Sequence, residues 1–207
     1  MIDVLRAFSL AAYALEAGAG QVIFVPSVEA AIGLGERLRA PVSAEIEGLP
    51  VPGVAISNSP SALRELDLAG RPLVMRSTSG VMALAAAAET AEATFAASLV
   101  VARATVRALR ELAPLQVTLI ATGEDRGHPE DAFCARYMEA LLTGQELPDL
   151  ERDLLERLRR TDRWRQVSAG QWPGFPASDL ELCLQPDRFA FALPVERDDS
   201  GNLTVRR

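Results

Sequence analysis

Short apolar runs alternate with segments of helical spacing along most of this chain, and this alternation limits the folds that it can adopt. Residues 6–17 show the pattern best, because apolar side chains recur there at helical intervals and stop at Gly18-Ala19-Gly20. Strands and helices in this rhythm predict an α/β fold, layered α/β/α with a mixed sheet. The predicted strands are residues 2–4, 21–25, 73–75, 94–97 and 117–121, and the predicted helices are residues 6–17, 28–38, 61–66, 81–91, 101–112 and 130–142.

Residues 41–60 interrupt this alternation. They contain four prolines together with Gly48 and Gly53, a composition too irregular for a helix. The stretch is also too long for a plain connection, so it predicts a long loop of the kind that often carries function.

The part of the chain after Pro148 has a different organisation. It predicts, in order, a charged helix over residues 149–163, a loop over residues 168–177, and two strands, residues 189–194 and 203–206. The turn Asp198-Asp199-Ser200-Gly201-Asn202 would join the two strands as a β-hairpin. We therefore predict an α/β core over residues 1–147 and a small C-terminal lobe, residues 148–207, packed on it as one compact unit.

Charge and residue types exclude several functions. All 21 basic residues are arginines, so the chain lacks the lysine of a Schiff-base enzyme or a Walker P-loop. The net charge of −7 disfavours nucleic acid or an anionic membrane as a partner. One histidine and two cysteines exclude a disulfide framework and a Cys/His zinc cluster. With no targeting segment and no apolar run of membrane-spanning length, we expect a cytoplasmic protein.

Asp3 and Arg6 come at the end of the first predicted strand and the start of the first predicted helix. Open α/β sheets bind their ligands at such carboxyl ends of strands. There Asp3 would suit Mg²⁺, and Arg6 could hold a phosphate or sulfonate through two hydrogen bonds. The alternative is that Asp3 only caps the helix.

Two hydroxyl-rich loops open into predicted helices, Ser57-Asn58-Ser59-Pro60 and Ser77-Thr78-Ser79-Gly80. Backbone N–H groups at a helix start, together with hydroxyl groups, can bind an anion without a lysine. Ordinary helix capping is the alternative for each loop.

A third polar segment, residues 123–131, follows the last predicted strand and contains Glu124, Asp125, Glu130 and Asp131. Carboxylates at this place can bind a metal or act as a general base on water. Acidic residues at a helix start are also favoured by the helix dipole, which leaves a purely structural role open. His128 has no second histidine to pair with and is expected to be an exposed loop residue.

In this order, the motifs resemble the 2-phosphosulfolactate phosphatase family of the coenzyme M pathway. The similarity is carried by Asp3-Val4-Leu5-Arg6-Ala7, Glu45, Gly48-Leu49-Pro50, Pro52-Gly53, Asn58-Ser59-Pro60, Gly70-Arg71-Pro72-Leu73-Val74, Ser77-Thr78-Ser79-Gly80, Ala97-Ser98-Leu99, Gly123 and Glu130-Asp131-Ala132, with weaker echoes at Asp179, Cys183 and Asp187. One departure is Ala55, which stands where the family has an aspartate.

The resemblance implies a Mg²⁺-dependent phosphatase that acts on a small anionic phosphoester, such as 2-phosphosulfolactate or a related phosphorylated hydroxy acid. It implies catalytic roles for Asp3, Glu45, Glu130 and Asp131, of which Asp3 and Glu45 would hold the metal. The implied substrate-binding residues are Arg6, Asn58, Ser59, Ser77, Thr78, Ser79 and Gly80. The alternative is a non-catalytic protein that binds small anions on the same scaffold. The alanine-rich helices would also suit the interface of a homodimer.

Overall fold

A computed structural model of the chain describes residues 1–123, 129–146 and 149–207. The helices in these ranges are α1 (Ala7–Glu16), α2 (Val28–Leu38), α3 (Gly80–Ala87), α4 (Ala102–Leu112), α5 (Pro129–Thr143), α6 (Leu150–Arg159), α7 (Asp162–Ser168) and α8 (Ser178–Cys183). The strands are β1 (Gln21–Phe24), β2 (Val42–Ile46), β3 (Leu49–Pro50), β4 (Pro72–Arg76), β5 (Phe95–Ala96), β6 (Leu193–Arg197) and β7 (Leu203–Val205). Short 3₁₀ helices occupy Pro60–Glu65 and Leu99–Val101.

The strands form one seven-stranded sheet in the order β3-β2-β4-β1-β7-β6-β5. Strands β2, β4 and β1 pair in parallel, and the other neighbours pair antiparallel. The predicted α/β fold with a mixed sheet is therefore confirmed. The predicted hairpin also forms, and its second strand β7 pairs with β1, so the C-terminal part of the chain completes the middle of the sheet.

Alternating side chains of β1 show how the layers are built. Val22 and Phe24 join a core with residues of α1 and α3, whereas Ile23, together with Val25 just after the strand, packs with residues of α2. Because successive strand residues point to opposite faces, α1 and α3 cover one face of the sheet and α2 the other. A further core lies beyond β5, where α4, α5 and the helices of the C-terminal part pack around Ile2 and Val4.

Residues 41–60 were predicted as an irregular loop, and this is wrong for the strands β2 and β3. The four prolines concealed these strands. Pro41 lies just before β2, and Pro50 lies in β3 at the edge of the sheet, where a missing N–H group is tolerated. Asn58 and Ser59 then lead into the 3₁₀ helix, which begins at Pro60.

Several other predicted elements differ in the structure. The helix predicted over residues 61–66 is the 3₁₀ helix Pro60–Glu65, and the strand predicted over residues 189–194 is β6, Leu193–Arg197. Residues 2–4 and 117–121 contribute only isolated bridges, from Ile2 to Ala97 and to Ala121, where a three-residue and a five-residue strand were expected. The charged segment of residues 149–163 is two helices, because Thr161 accepts a hydrogen bond from the Trp164 amide and starts α7. No helix in the described ranges is long and apolar enough to cross a membrane.

Candidate active site

A cavity of about 380 Å³ opens where the N-terminal segment, the carboxyl ends of β2 and β4, and the C-terminal helices meet. It brings together side chains that are up to 172 positions apart in the chain. The lining residues are Asp3, Leu5, Arg6, Ala7, Glu45, Glu47, Gly48, Asn58, Ser77, Thr78, Ser79, Thr122, Gly123, Asp131, Arg163, Trp172 and Phe175.

Asp3 lies on the cavity wall just before α1. Its Oδ1 atom accepts a hydrogen bond from the Ala7 amide at 3.1 Å, so Asp3 does hold the start of the helix while it also faces the cavity. Burial raises the pKa of Asp3 to about 6, and the nearby carboxylate of Glu45 acts in the same direction. The positive charges of Arg163 and Arg6 oppose this rise.

Two more acidic residues, at the start of α5, flank Asp3. Asp131 lines the cavity, and its carboxylate accepts hydrogen bonds from the Val4 amide at 2.7 Å and the Thr122 hydroxyl at 3.3 Å. Burial and the negative charges of Asp3 and Glu130 raise the pKa of Asp131 well above its usual range. Glu130 lies behind the cavity wall, where its Oε1 atom is 3.0 Å from Nη1 of Arg163.

Glu45, at the carboxyl end of β2, connects two of the loops that line the cavity. It accepts hydrogen bonds from the Gly48 amide and from both the amide and the hydroxyl of Thr78. The carboxylate thereby ties the turn between β2 and β3 to the hydroxyl-rich loop that precedes α3.

The hydroxyl-rich loop places Ser77, Thr78 and Ser79 on the cavity wall. The Ser77 hydroxyl accepts a hydrogen bond from the Val81 amide at 3.1 Å, so the predicted capping role is present as well. Gly80 lies behind the wall, directly against Asp3: a Cβ atom at Gly80 would be 2.5 Å from Oδ2 of Asp3. The N-terminus of α3 therefore approaches the acidic residue as closely as glycine allows.

The first hydroxyl loop is placed differently. Asn58 lines the cavity with a backbone φ of +51°, and its side-chain oxygen accepts a hydrogen bond from Ser43 at 2.6 Å. Ser59 points away from the cavity and donates a hydrogen bond to Asp179 at 3.0 Å. Ala55, the departure from the family pattern, is exposed and does not belong to the described residues that line the cavity.

Arg6 lines the cavity and is itself buried. Its Nη1 atom donates hydrogen bonds to Gly174 at 2.7 Å and to Asp179 at 2.8 Å, and its guanidinium group lies 4.0 Å from the centre of the Phe175 ring. Residues of the C-terminal part of the chain thus hold the guanidinium group of Arg6.

Most of the predicted site residues meet in this one cavity. Asp3, Arg6, Glu45, Asn58, Ser77, Thr78, Ser79 and Asp131 line it, whereas Ser59, Gly80 and Glu130 lie behind its wall. Glu124, Asp125 and His128 fall outside the described residues. The sequence prediction missed Glu47, Thr122, Arg163, Trp172 and Phe175.

Arg163 is the most informative of the missed residues. Besides its pair with Glu130, it donates a hydrogen bond to the Leu5 carbonyl at 2.7 Å, and its guanidinium lies 5.4 Å from the Phe175 ring centre. Trp172 closes another side of the cavity, with its ring N–H donating to the Gly48 carbonyl at 3.0 Å. The N-cap residue Thr161, which separates α7 from α6, is the local signal that Arg163 does not belong to the charged helix predicted over residues 149–163.

The donor chemistry of the cavity fits a hard cation such as Mg²⁺. In the described ranges, no three acidic, histidine or cysteine side chains are grouped closely enough to enclose a metal ion by themselves. Mg²⁺, however, keeps several water ligands and commonly uses only one or two protein carboxylates. Asp3, Glu45 and Asp131 all line the cavity, and the repulsion of Asp3 by Glu45 and by Asp131 is the kind that a divalent cation relieves.

A layered α/β protein with a cavity of carboxylate, guanidinium and hydroxyl groups at the carboxyl ends of parallel strands has a site of the kind that is typical of enzymes with small polar substrates. Comparison with known protein families gives the particular family. Residues 1–197 match the sequence model of the family described as 2-phosphosulpholactate phosphatase. The chain belongs to the 2-phosphosulfolactate phosphatase family, which confirms the resemblance in its motifs.

Curated relatives carry the same description. Proteins named probable 2-phosphosulfolactate phosphatase are 38% identical over 143 residues in Thermus thermophilus and 36% identical over 137 residues in Deinococcus radiodurans. These alignments cover 69% and 65% of this chain, but only 60% and 57% of the relatives. A third such protein, from Bacillus subtilis, is 24% identical over 199 residues, 96% of this chain and 86% of that protein.

Proposed function

We propose that this protein is a phosphoric monoester hydrolase that releases phosphate from a small anionic phosphoester, namely 2-phosphosulfolactate or a related phosphorylated hydroxy acid. Membership of the family and the names of the relatives support phosphatase chemistry. The main structural support is that Asp3, Asp131, Arg6 and Arg163 line the same cavity as the loop that precedes α3. These are the groups that phosphate transfer to water requires.

The balance of charge favours a role for Mg²⁺. Around the cavity, carboxyl groups outnumber the guanidinium groups of Arg6 and Arg163, so an anionic substrate would meet a net negative wall. Asp3 and Glu45 would hold the metal. Bound Mg²⁺ would neutralise phosphate charge and lower the pKa of a coordinated water molecule. We therefore expect the substrate and Mg²⁺ to bind cooperatively.

The loop of residues 77–80 would receive the phosphate group. Hydroxyl groups of Ser77, Thr78 and Ser79 line the cavity at the N-terminus of α3, where the helix dipole favours an anion. Because Glu45 fixes Thr78 through two hydrogen bonds, the loop is organised before a ligand arrives. Asn58, on the neighbouring wall, would complete the phosphate site.

Asp131 would act as the general base. It faces the cavity, and a carboxylate with a raised pKa accepts a proton more effectively near neutral pH. A water molecule would attack phosphorus in line with the ester oxygen, its proton passing to Asp131 as the P–O bond breaks, and the hydroxy acid would leave after protonation from solvent. Glu130, paired with Arg163, would keep the start of α5 in place.

Measurement of phosphate release tests this proposal. The purified chain is incubated with 2-phosphosulfolactate, 2-phospholactate and phenyl phosphate, each with Mg²⁺ and with EDTA. We expect Mg²⁺-dependent release from all three compounds, and the slowest release from phenyl phosphate because it lacks a second acid group. Binding of 2-phosphosulfolactate without release from any of the three compounds would contradict the proposal and favour the non-catalytic alternative.

A further inference from the structure

Asp179 is a fully buried carboxylate that lies outside the cavity and contacts the cavity-lining Arg6 from behind. Its side chain has a relative exposure of 0% and projects from α8 in the C-terminal part of the chain. Oδ2 accepts the hydrogen bond from Nη1 of Arg6 at 2.8 Å. Oδ1 accepts hydrogen bonds from the Ser59 hydroxyl and the Ser61 amide, each at 3.0 Å.

These contacts fix the direction of the Arg6 guanidinium. Nη1 is occupied by Asp179 and by the Gly174 carbonyl, and the Phe175 ring lies against the guanidinium plane. A guanidinium has five N–H donors, and within the described ranges Nε and Nη2 of Arg6 make no hydrogen bond to the protein. Since Arg6 lines the cavity, this second edge can meet a ligand there.

Charge explains why a carboxylate occupies this position. Arg6 is only 5% exposed, and a guanidinium buried to this extent needs a partner to offset the loss of water. Asp179 supplies that partner from the side away from the cavity. The pair therefore keeps the arginine charged and oriented while it leaves a planar pair of N–H groups for a planar or tetrahedral acid.

We propose that Asp179 is a positioning residue for substrate selection: it holds Arg6 so that the free edge of the guanidinium receives the second acid group of the substrate. This rests on the proposed function, in which the phosphate occupies the loop at the start of α3. The group received would be the sulfonate or carboxylate of a phosphorylated hydroxy acid. A phosphoester with no second acid group gains nothing from Asp179.

The test compares Asp179→Asn with wild type on two substrates, 2-phosphosulfolactate and phenyl phosphate. We expect kcat/KM for 2-phosphosulfolactate to fall about 10- to 100-fold, mainly through KM, as when a hydrogen bond between charged groups is lost. For phenyl phosphate the fall should stay below about threefold, because that substrate does not use Arg6. The exposed Asp199→Asn is the matched control and should change neither value. An equal loss on both substrates, or no loss on either, would overturn the proposal.

The Arg6→Gln/Asp179→Asn double variant covers the case in which Asp179→Asn does not fold, because it removes both buried charges together. If Asp179 acts through Arg6, this double variant and Arg6→Gln should have the same KM for 2-phosphosulfolactate. A clearly higher KM in the double variant would show an independent structural role and would also overturn the proposal.

Binding of the product sulfolactate, measured by calorimetry, separates this inference from the proposed function. Weaker binding to Asp179→Asn than to wild type supports the role of Asp179 even if wild type releases no phosphate. Equal binding refutes it even if wild type is an active phosphatase.

Discussion

Replacement of Gly80 by alanine places a methyl group against Asp3. The added Cβ would lie 2.5 Å from Oδ2 and 3.2 Å from Cβ of Asp3, whereas ordinary van der Waals contact begins near 3.4 Å. The carboxyl group or the start of α3 must therefore move by roughly 1 Å, and a displacement of that size in an active site reduces the rate by about 100-fold. We expect Gly80→Ala to lower kcat for 2-phosphosulfolactate by about that factor.

The same substitution should affect stability much less than activity. Overpacking of a buried site costs about 1–3 kcal/mol. Alanine in place of glycine in a helix returns about 0.5–1 kcal/mol. The free energy of unfolding, measured by urea denaturation, should thus fall by about 0–2.5 kcal/mol, and the variant should remain folded under assay conditions.

Gly33→Ala is the matched control for this prediction. Gly33 lies in α2, is exposed, and has no atom within 4 Å of the position that a Cβ would take. Alanine there should raise the free energy of unfolding by about 0.5–1 kcal/mol and leave kcat unchanged. If Gly80→Ala is as active as wild type while Gly33→Ala behaves as expected, the close approach of α3 to Asp3 has no part in the reaction.

Three further outcomes are expected. Arg6→Lys should raise KM for 2-phosphosulfolactate about tenfold or more, because a point charge cannot replace the planar fork of donors; unchanged steady-state kinetics would remove Arg6 from the substrate site. Ala55→Asp should alter the free energy of unfolding by less than about 0.5 kcal/mol, with or without Mg²⁺, because Ala55 is exposed and does not line the described cavity. A Mg²⁺-dependent rise in the Tm of this variant would show instead that the loop containing Ala55 reaches the metal. In EDTA, the free energy of unfolding of wild type should fall as the pH rises from about 4 to 6, because folding raises the pKa of Asp3 to about 6 and so favours its protonated form. Asp3→Asn should lose less stability over the same pH range. Parallel curves of Tm against pH for the two proteins would contradict the raised pKa of Asp3.

The sequence predicts the layered fold because the alternation of elements is a local property. The spacing of apolar residues in α1, the serine cap of α2 and the turn at Asp198 each act within a few residues. The meeting of Asp3 with the loop before α3 follows from the same pattern, since both segments come at strand ends and such ends gather at one edge of a sheet.

Glu45 shows what local patterns miss. The prolines around β2 concealed the strand, so only the family resemblance singled out this carboxylate, and no position in the fold could be predicted for it. Arg163 and Trp172 were missed for another reason. They reach the cavity through contacts with Leu5 and Gly48, more than 120 positions away, and no periodicity encodes such contacts.

The roles of the site residues, the use of Mg²⁺, the cytoplasmic location and the homodimer remain predictions. The geometry supports the first two most directly, because Asp3, Glu45 and Asp131 share one cavity with Arg6. Burial and mutual repulsion both disfavour the charged forms of these carboxyl groups, and they nevertheless lie close together. Such an arrangement is more typical of functional sites than of structural cores.

The central claim is that the carboxylate of Asp3 is needed for phosphate release in this cavity, and one measurement addresses it directly. The initial rate of phosphate release from 2-phosphosulfolactate in Mg²⁺ is compared between wild type, Asp3→Asn and the exposed control Asp199→Asn. Asparagine retains the size of Asp3 and can still accept the hydrogen bond from the Ala7 amide, so the start of α1 should persist. We predict a loss of about 100-fold or more in Asp3→Asn and no change in Asp199→Asn. An Asp3→Asn variant that releases phosphate at the wild-type rate would contradict the claim.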